Sequence, residues 1–324
     1  MPPDDGFVTL DDVASARLLP ARDGRSHKGT HGTLLCLCGS LDYAGAALLA
    51  AGSAARAGAG LVALAVPASL QSLFAGRVLE AITLGLPECD GNDLDADASL
   101  EVVTARHADA LLCGSGWNET DGHVRLLLAL LRQQRRDPDA ASREGPAPMV
   151  IDGSALNMLA RTADWWVGAI RPCVLTPHPG EFARLAGHGI TGDDTERRAA
   201  AAEAAERFGQ VVVLKGPRTV VAAPDGRLAV APFENAALAT AGTGDVLAGA
   251  IGALLAQRLA PFDAASLGVY LHGAAAERLR DKFGDAGLIA SDLLPELPAA
   301  RRRLTELRDR PQQRVGFASR TESA

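Results

Sequence analysis

Cysteine is scarce here and badly spaced for either of its structural uses. The five cysteines among 324 residues, Cys36, Cys38, Cys89, Cys113 and Cys173, are an odd number with no pair at metal-finger spacing, so neither a disulfide framework nor a zinc module is expected. Cys36-Leu-Cys38 falls on one side of an apolar run and reads as two small buried residues. Basic excess is missing as well: 32 Lys plus Arg against 39 Asp plus Glu give a net charge of −7, with no long basic run to track a phosphate backbone. Nucleic acid is therefore not an expected partner. The N-terminal MPPDDGFVTLDDV lacks the apolar core of a secretion signal, and no stretch reaches membrane-spanning length without charges. Free thiols without a signal point to the cytoplasm, and no internal repeat divides the chain.

What is abundant is apolar surface, 48% of residues, enough for a sizeable core. Short apolar, β-rich runs recur: TLLCLCGS at 33–40, GLVALAVP at 60–67, ADALLCGSG at 108–116, PMVIDGS at 148–154, PCVLTPH at 172–178 and QVVVLKG at 210–216. Continuous apolar strands separated by helical stretches imply crossover connections, hence an α/β fold: a three-layer α/β/α domain with a mostly parallel central sheet. TVVAAP and RLAVAP, joined by Asp225-Gly226, predict a β-hairpin, and 242–304 reads as mostly helical. The domain is bounded at 27–303, after an N-terminal extension, 1–26, with one short helix near DDVASARLL. A surface loop is expected at 138–148 and a polar, disordered tail at 304–324.

The stretch ATAGTGDVLAG, 239–249, places a carboxylate after two glycines where an apolar helix begins. Two readings stand. Asp245 can simply compensate the helix dipole. Alternatively Gly242-Thr243-Gly244 leaves backbone N–H groups uncovered as an anion hole for phosphate, with Asp245 a base beside it.

Each predicted strand ends in polar or glycine-rich residues at the sheet mouth, where ligands bind in such folds. Lys215 follows VVVL and either snorkels there or meets a nucleotide phosphate. His178, between Pro177 and Pro179, is an ordinary turn histidine or a ring of fixed direction. Glu181 suits the first turn of the helix EFARLAG, Asp152 and Asn157 flank a strand-to-helix turn, and His272 reads as a satisfied core histidine.

Taken in order, HKGTHGTLLCLCGSLDYAGAALLAAGSAARAGAGLVALAVP, VIDGSALNML, VLTPHPGEFARL, VVLKGPRT, LATAGTGDVLAGAI and GVYLHGAAAE resemble the ADP-dependent NAD(P)H-hydrate dehydratase family, over roughly residues 25–303. The resemblance implies a ribokinase-like superfold and ADP-dependent dehydration of the S-epimer of hydrated NADH or NADPH, a carbon–oxygen lyase reaction. It implies that Lys215, Gly216, Pro217, Arg218 and Thr219, with Gly244, hold the adenine nucleotide. Ala46, Gly114, Gly116, His178 and Asp245 would then surround the hydrated nicotinamide nucleotide, with Asp245 catalytic. It also implies Mg2+ accompanying the ADP or ATP, a homo-oligomer such as a tetramer, and a pathway epimerase carried on another chain. A protein-held metal site stays unassigned. Ser154 stands where the family usually has a second Asp, and Ala241 where a further glycine is common. Small-molecule kinases of the same superfold, of hydroxyethylthiazole or hydroxymethylpyrimidine type, share KGPRT and GTGD, and a non-catalytic nucleotide-binding regulator is the remaining alternative.

Overall fold

The computed structural model describes residues 6–89, 93–133 and 145–309. Strand β1 (Val8–Thr9) is followed by helix α1 (Asp12–Leu18), whose N-terminus is capped by the Asp11 carboxylate accepting from the Ala14 amide. Strand β2 (Thr33–Leu37), helix α2 (Ala44–Ala57) and strand β3 (Leu61–Pro67) form a β-α-β unit, and the short α3 (Gln71–Ala75) leads to β4 (Ala81–Leu86). A small ribbon, β5 (Glu88–Cys89) with β6 (Asp93–Leu94), precedes α4 (Ala96–Thr104), β7 (Ala110–Cys113) and α5 (Asp121–Arg132). Next come β8 (Met149–Ile151), α6 (Ser154–Ala160), β9 (Cys173–Leu175), α7 (Pro179–Ala186), α8 (Asp194–Phe208) and β10 (Val211–Leu214). The hairpin β11 (Val220–Ala222) and β12 (Leu228–Val230) turns through Asp225-Gly226, with Gly226 in the left-handed region as expected. Three helices close the described chain: α9 (Thr243–Ala256), α10 (Pro261–Phe283) and α11 (Leu293–Arg308).

The main sheet runs β1-β12-β11-β10-β9-β8-β7-β2-β3-β4. Pairing is parallel from β10 through β4, while the hairpin adds two antiparallel pairs at the other side. Side-chain alternation splits the core into two layers. Leu34, Cys36, Cys38, Leu64 and Val213 face α2, α9, α10 and α11, whereas Leu35, Leu37, Met149, Cys173 and Leu214 face α5, α6, α7 and α8. Cys36 and Cys38 are buried together on one face, as the C-x-C spacing implied. No helix among the described residues is long and apolar enough to cross a membrane.

Some boundaries differ from the sequence reading. The N-terminal segment is built into the domain: β1 pairs with β12, and Arg303 and Tyr270 both bond the Asp12 carboxylate. The terminal helix runs to Arg308 with Leu304 fully buried, so the apolar pattern extends past 303; the rest of the expected tail, 310–324, lies outside the described residues. Most of the expected loop at 138–148 lies outside them too. Strand β4 was not anticipated, because Gly85 interrupts its pattern and as an edge strand it is only half buried.

Helix α9, buried nearly all round, packs on α2 without intervening side chains: a Cβ at Gly249 would stand 2.2 Å from the Ala50 carbonyl oxygen. The buried Ser53 hydroxyl donates across this contact to the Val246 carbonyl.

Candidate active site

The chain leaves β2 outward to β3 and β4, then returns to place β7 on the other side of β2, so a crevice opens beyond the carboxyl ends of β2 and β7. Two turns meet there. Gly39 donates its amide to the Ser115 carbonyl at 2.8 Å, and Gly116, at φ +71°, lies so close to the start of α2 that a Cβ would be 2.7 Å from the Tyr43 carbonyl and 2.8 Å from the Ala46 methyl. Gly114, at φ +103°, allows a similar approach to Asp152 and Ala155. Ala46, Gly114 and Gly116 are thus brought to one place.

Asp245 reaches the same place from the first turn of α9, where its carboxylate comes close to Ser115, whose hydroxyl donates to Asp152. Burial, with Asp152 close by, pushes its pKa up to about 7, against the opposing pull of Ser115 and Lys215. No side chain caps this helix, and the Thr243 hydroxyl turns back to the Leu238 and Thr240 carbonyls. The bare end belongs to Gly244 and Asp245; the Thr243 amide lies 3.4 Å from the Thr240 carbonyl. Gly242 is left-handed, φ +87°, whereas Gly244 is ordinary helix and its missing Cβ faces the Lys215 ammonium 3.3 Å away. The special backbone angle therefore belongs to Gly242, and Gly244 provides open room. Ala241 is outside the left-handed region, so the absence of a glycine there strains nothing.

The centre of the charge network is Asp152, a residue that sequence reasoning left at a turn. Only 3% exposed, it accepts from Thr176 Oγ1 at 2.7 Å, Ser115 Oγ at 3.0 Å and Lys215 Nζ at 3.0 Å. Lys215 also lies 3.6 Å from Glu181. Burial alone would lower the ammonium's pKa, but Asp152 and Glu181 outweigh it and hold it above its usual value, while burial raises the Glu181 carboxyl. His178 accepts the Gly180 and Glu181 amides on Nδ1 as the cap of α7, leaving Nε2 toward Glu181 and 51% of the side chain exposed at the rim. Both readings of this histidine hold a part: it is a turn cap, and its direction is fixed. Ser154 begins α6 beside Asp152, and no cluster of three metal-ligating side chains occurs among the described residues.

On the other side of Lys215 and Gly244 lies a cavity of about 470 Å³. Gly216, Pro217 and Thr219 line it with them, as KGPRT suggested, but Arg218 does not: at φ +50° it turns its guanidinium to Asp194, 3.2 Å away. Phe233, Leu247 and Val269 supply an apolar floor that no local motif announced. Asn235 lines it as well, its Oδ1 accepting from the Ala237 amide and its Nδ2 buried without a partner among the described residues. His272 is indeed a satisfied histidine, its Nε2 2.9 Å from the Thr243 carbonyl and its pKa pushed down to about 4 by burial, yet it also forms part of this wall.

The family model described as NAD(P)H-hydrate dehydratase matches residues 34–299. A bifunctional NAD(P)H-hydrate repair enzyme of Moorella thermoacetica is 41% identical over 89% of this chain and 52% of its own length; the chain spans about half the length of such curated relatives. An ADP-dependent (S)-NAD(P)H-hydrate dehydratase of Neisseria meningitidis is 36% identical over 88% of this chain and 90% of its own. Among solved structures, the ADP/ATP-dependent NAD(P)H-hydrate dehydratase of Bacillus subtilis, co-crystallised with ATP/Mg2+, superposes with a TM-score of 0.77 at 32% identity, covering 92% of this chain and 99% of that one.

Proposed function

The chain belongs to the NAD(P)H-hydrate dehydratase family, and on that premise we propose that it restores NADH or NADPH from their S-hydrates by using an adenine nucleotide to phosphorylate and expel the ring hydroxyl. The observation that carries this reading is the position of Asp245. Its carboxylate, one residue past Gly244 of the cavity wall, lies close to Lys215 and to Ser115, the neighbour of the Gly116 that packs on Ala46.

The nucleotide occupies the cavity, its base against Phe233, Leu247 and Val269. Lys215 and the uncapped amides of α9 take the phosphates. Asp245, ionised, accepts the hydroxyl proton as the hydroxyl oxygen attacks the phosphoryl group. The carbon–oxygen bond then breaks with the ring-nitrogen lone pair, phosphate carries the oxygen away, and loss of a ring-carbon proton restores the dihydropyridine. Mg2+ would arrive with the nucleotide and neutralise phosphate charge. The donor set fits that role: without a three-residue cluster, and with Asp152 and Glu181 bridged by Lys215, the protein offers it single carboxylates and leaves the remaining ligands to phosphate and water.

Incubation with hydrated NADH or NADPH and either ADP or ATP, followed by dihydropyridine absorbance, tests the reading; no recovery with any combination refutes it. Gly244→Val should fold normally, because valine is no worse than glycine in a helix. Its branched side chain would enter the space before Lys215, so turnover should fall by at least about a hundredfold. A fully active Gly244→Val protein would remove phosphate from this helix end. His178→Asn keeps a good capping side chain and removes the ring. Melting temperature should hold while the KM for the hydrate rises and the KM for ADP stays; a raised ADP KM instead would place His178 at the nucleotide.

A further inference from the structure

At the first residue of the α2 turn, three local features run against the fold's own preferences. Tyr43 is the N-cap of α2, a position that favours Ser, Thr, Asp or Asn, and it makes no side-chain capping bond. Its backbone, at φ −123° and ψ +40°, lies outside the helical and extended wells. Its ring is 60% exposed, next to Leu41 at 69%, and no hydrogen bond of its hydroxyl occurs among the described residues. Nothing in the packing or capping of α2 calls for a tyrosine here.

The backbone of Tyr43 is nevertheless held firmly. The missing Cβ of Gly116 would lie 2.7 Å from its carbonyl and 3.1 Å from its own Cβ, and Gly116 follows Ser115, which lies close to Asp245 and donates to Asp152. An exposed aromatic ring is thus mounted on backbone packed against the Gly116 turn, the turn that also carries Ser115 to the neighbourhood of Asp245. Gly45, two residues on, faces open space, which leaves room for a flat group over the turn.

We infer that Tyr43 is a substrate contact, an aromatic platform against which the nicotinamide-derived ring of the hydrate stacks while its hydroxyl points at Asp245. This rests on the proposed dehydration. The ring face is the chemistry that matches the position: an exposed phenol ring in a stretch that also exposes Leu41 offers a flat apolar surface.

The test measures KM for the hydrate, KM for ADP, melting temperature and elution volume for the parent chain, Tyr43→Phe, Tyr43→Ala and Tyr43→Ser. Loss of base–aromatic stacking is expected to raise the hydrate KM about tenfold or more in the Ala and Ser variants. Phe should stay within about twofold of the parent, because it keeps the π-face, and ADP KM should not move in any of them. Serine is the better N-cap, so Tyr43→Ser should melt at or above the parent's temperature while binding hydrate poorly, a split that a structural role for the ring would not give. Parent turnover with an unchanged hydrate KM in Tyr43→Ala refutes this inference alone. A KM change that tracks a shift in elution volume assigns Tyr43 to a subunit interface and also refutes it. A parent chain that converts no hydrate refutes the dehydration reading, and this one with it.

Discussion

Asp245→Asn is expected to melt higher than the parent at pH 8 and to turn over at less than about one-hundredth of its rate, the range lost with a general base. The carboxyl titrates near 7 in the fold, well above its ordinary value, because burial beside Asp152 disfavours its charge. A raised folded-state pKa means stability that is present at low pH and is lost as pH rises through about 7. At roughly 1.4 kcal/mol per unit, the ionised carboxylate costs on the order of 2–4 kcal/mol at pH 8. Asparagine is uncharged at every pH, so the gain in melting temperature should be largest at pH 8, shrink as pH falls below about 7 and vanish only below the ordinary carboxylate range, where Asp245 is protonated in the folded and unfolded states alike. The parent's rate should in turn climb as Asp245 ionises, about tenfold per unit below pH 7. Thermal melts of both proteins across pH, with rates on the same samples, check this. Equal melting at all pH values, or a retained rate, would take Asp245 out of the role of base.

Lys215→Ala should do the opposite to stability. Its ammonium, 18% exposed, stands 3.0 Å from Asp152 and 3.6 Å from Glu181, and its removal leaves two buried carboxylates without their cation. Breaking a buried pair in this way costs about 3–5 kcal/mol. The deficit should shrink as pH falls and Glu181, already raised by burial, takes up a proton. ADP affinity should drop by at least about tenfold through loss of a charge-assisted phosphate contact. Adding Glu181→Gln to Lys215→Ala separates the two effects: chemical denaturation should show stability recovered, and calorimetry should show ADP binding still weak. Full ADP affinity in the double variant would mean that the lysine serves only the carboxylates.

A lysine emerging from VVVL reads as a strand-end cation that can be lost without a cavity, and that reading misses its carboxylate partners because they are distant in sequence. Asp152 shows why. Thr176, Ser115 and Lys215 reach it from 24, 37 and 63 residues away, and no local pattern encodes their convergence. By contrast, the six strands β2, β3, β7, β8, β9 and β10, the Asp225-Gly226 hairpin and the start of α9 follow from short-range rules: apolar runs, a two-residue turn and helical periodicity. The cavity beside Lys215 divides the same way. KGPRT marks one wall, but Phe233, Asn235 and His272 come from the segment after β12 and from α10, and meet only through tertiary packing. Arg218 stays out of that wall for a local reason, the left-handed backbone that turns its side chain toward Asp194.

The contact between α2 and α9 has a mechanical consequence. One helix carries Ala46 and Tyr43 at its start, the other carries Gly244 and Asp245, and at Gly249 and Ala50 their backbones touch. On the proposed reaction, the reach between hydroxyl and phosphoryl group would accordingly be gauged by two helices in backbone contact. Gly249, more than a full helical turn from Asp245, would be the spacer of that gauge: a single added methyl there would have nowhere to go but between the helices, lengthening the jump that the proposed transfer asks of the phosphoryl group.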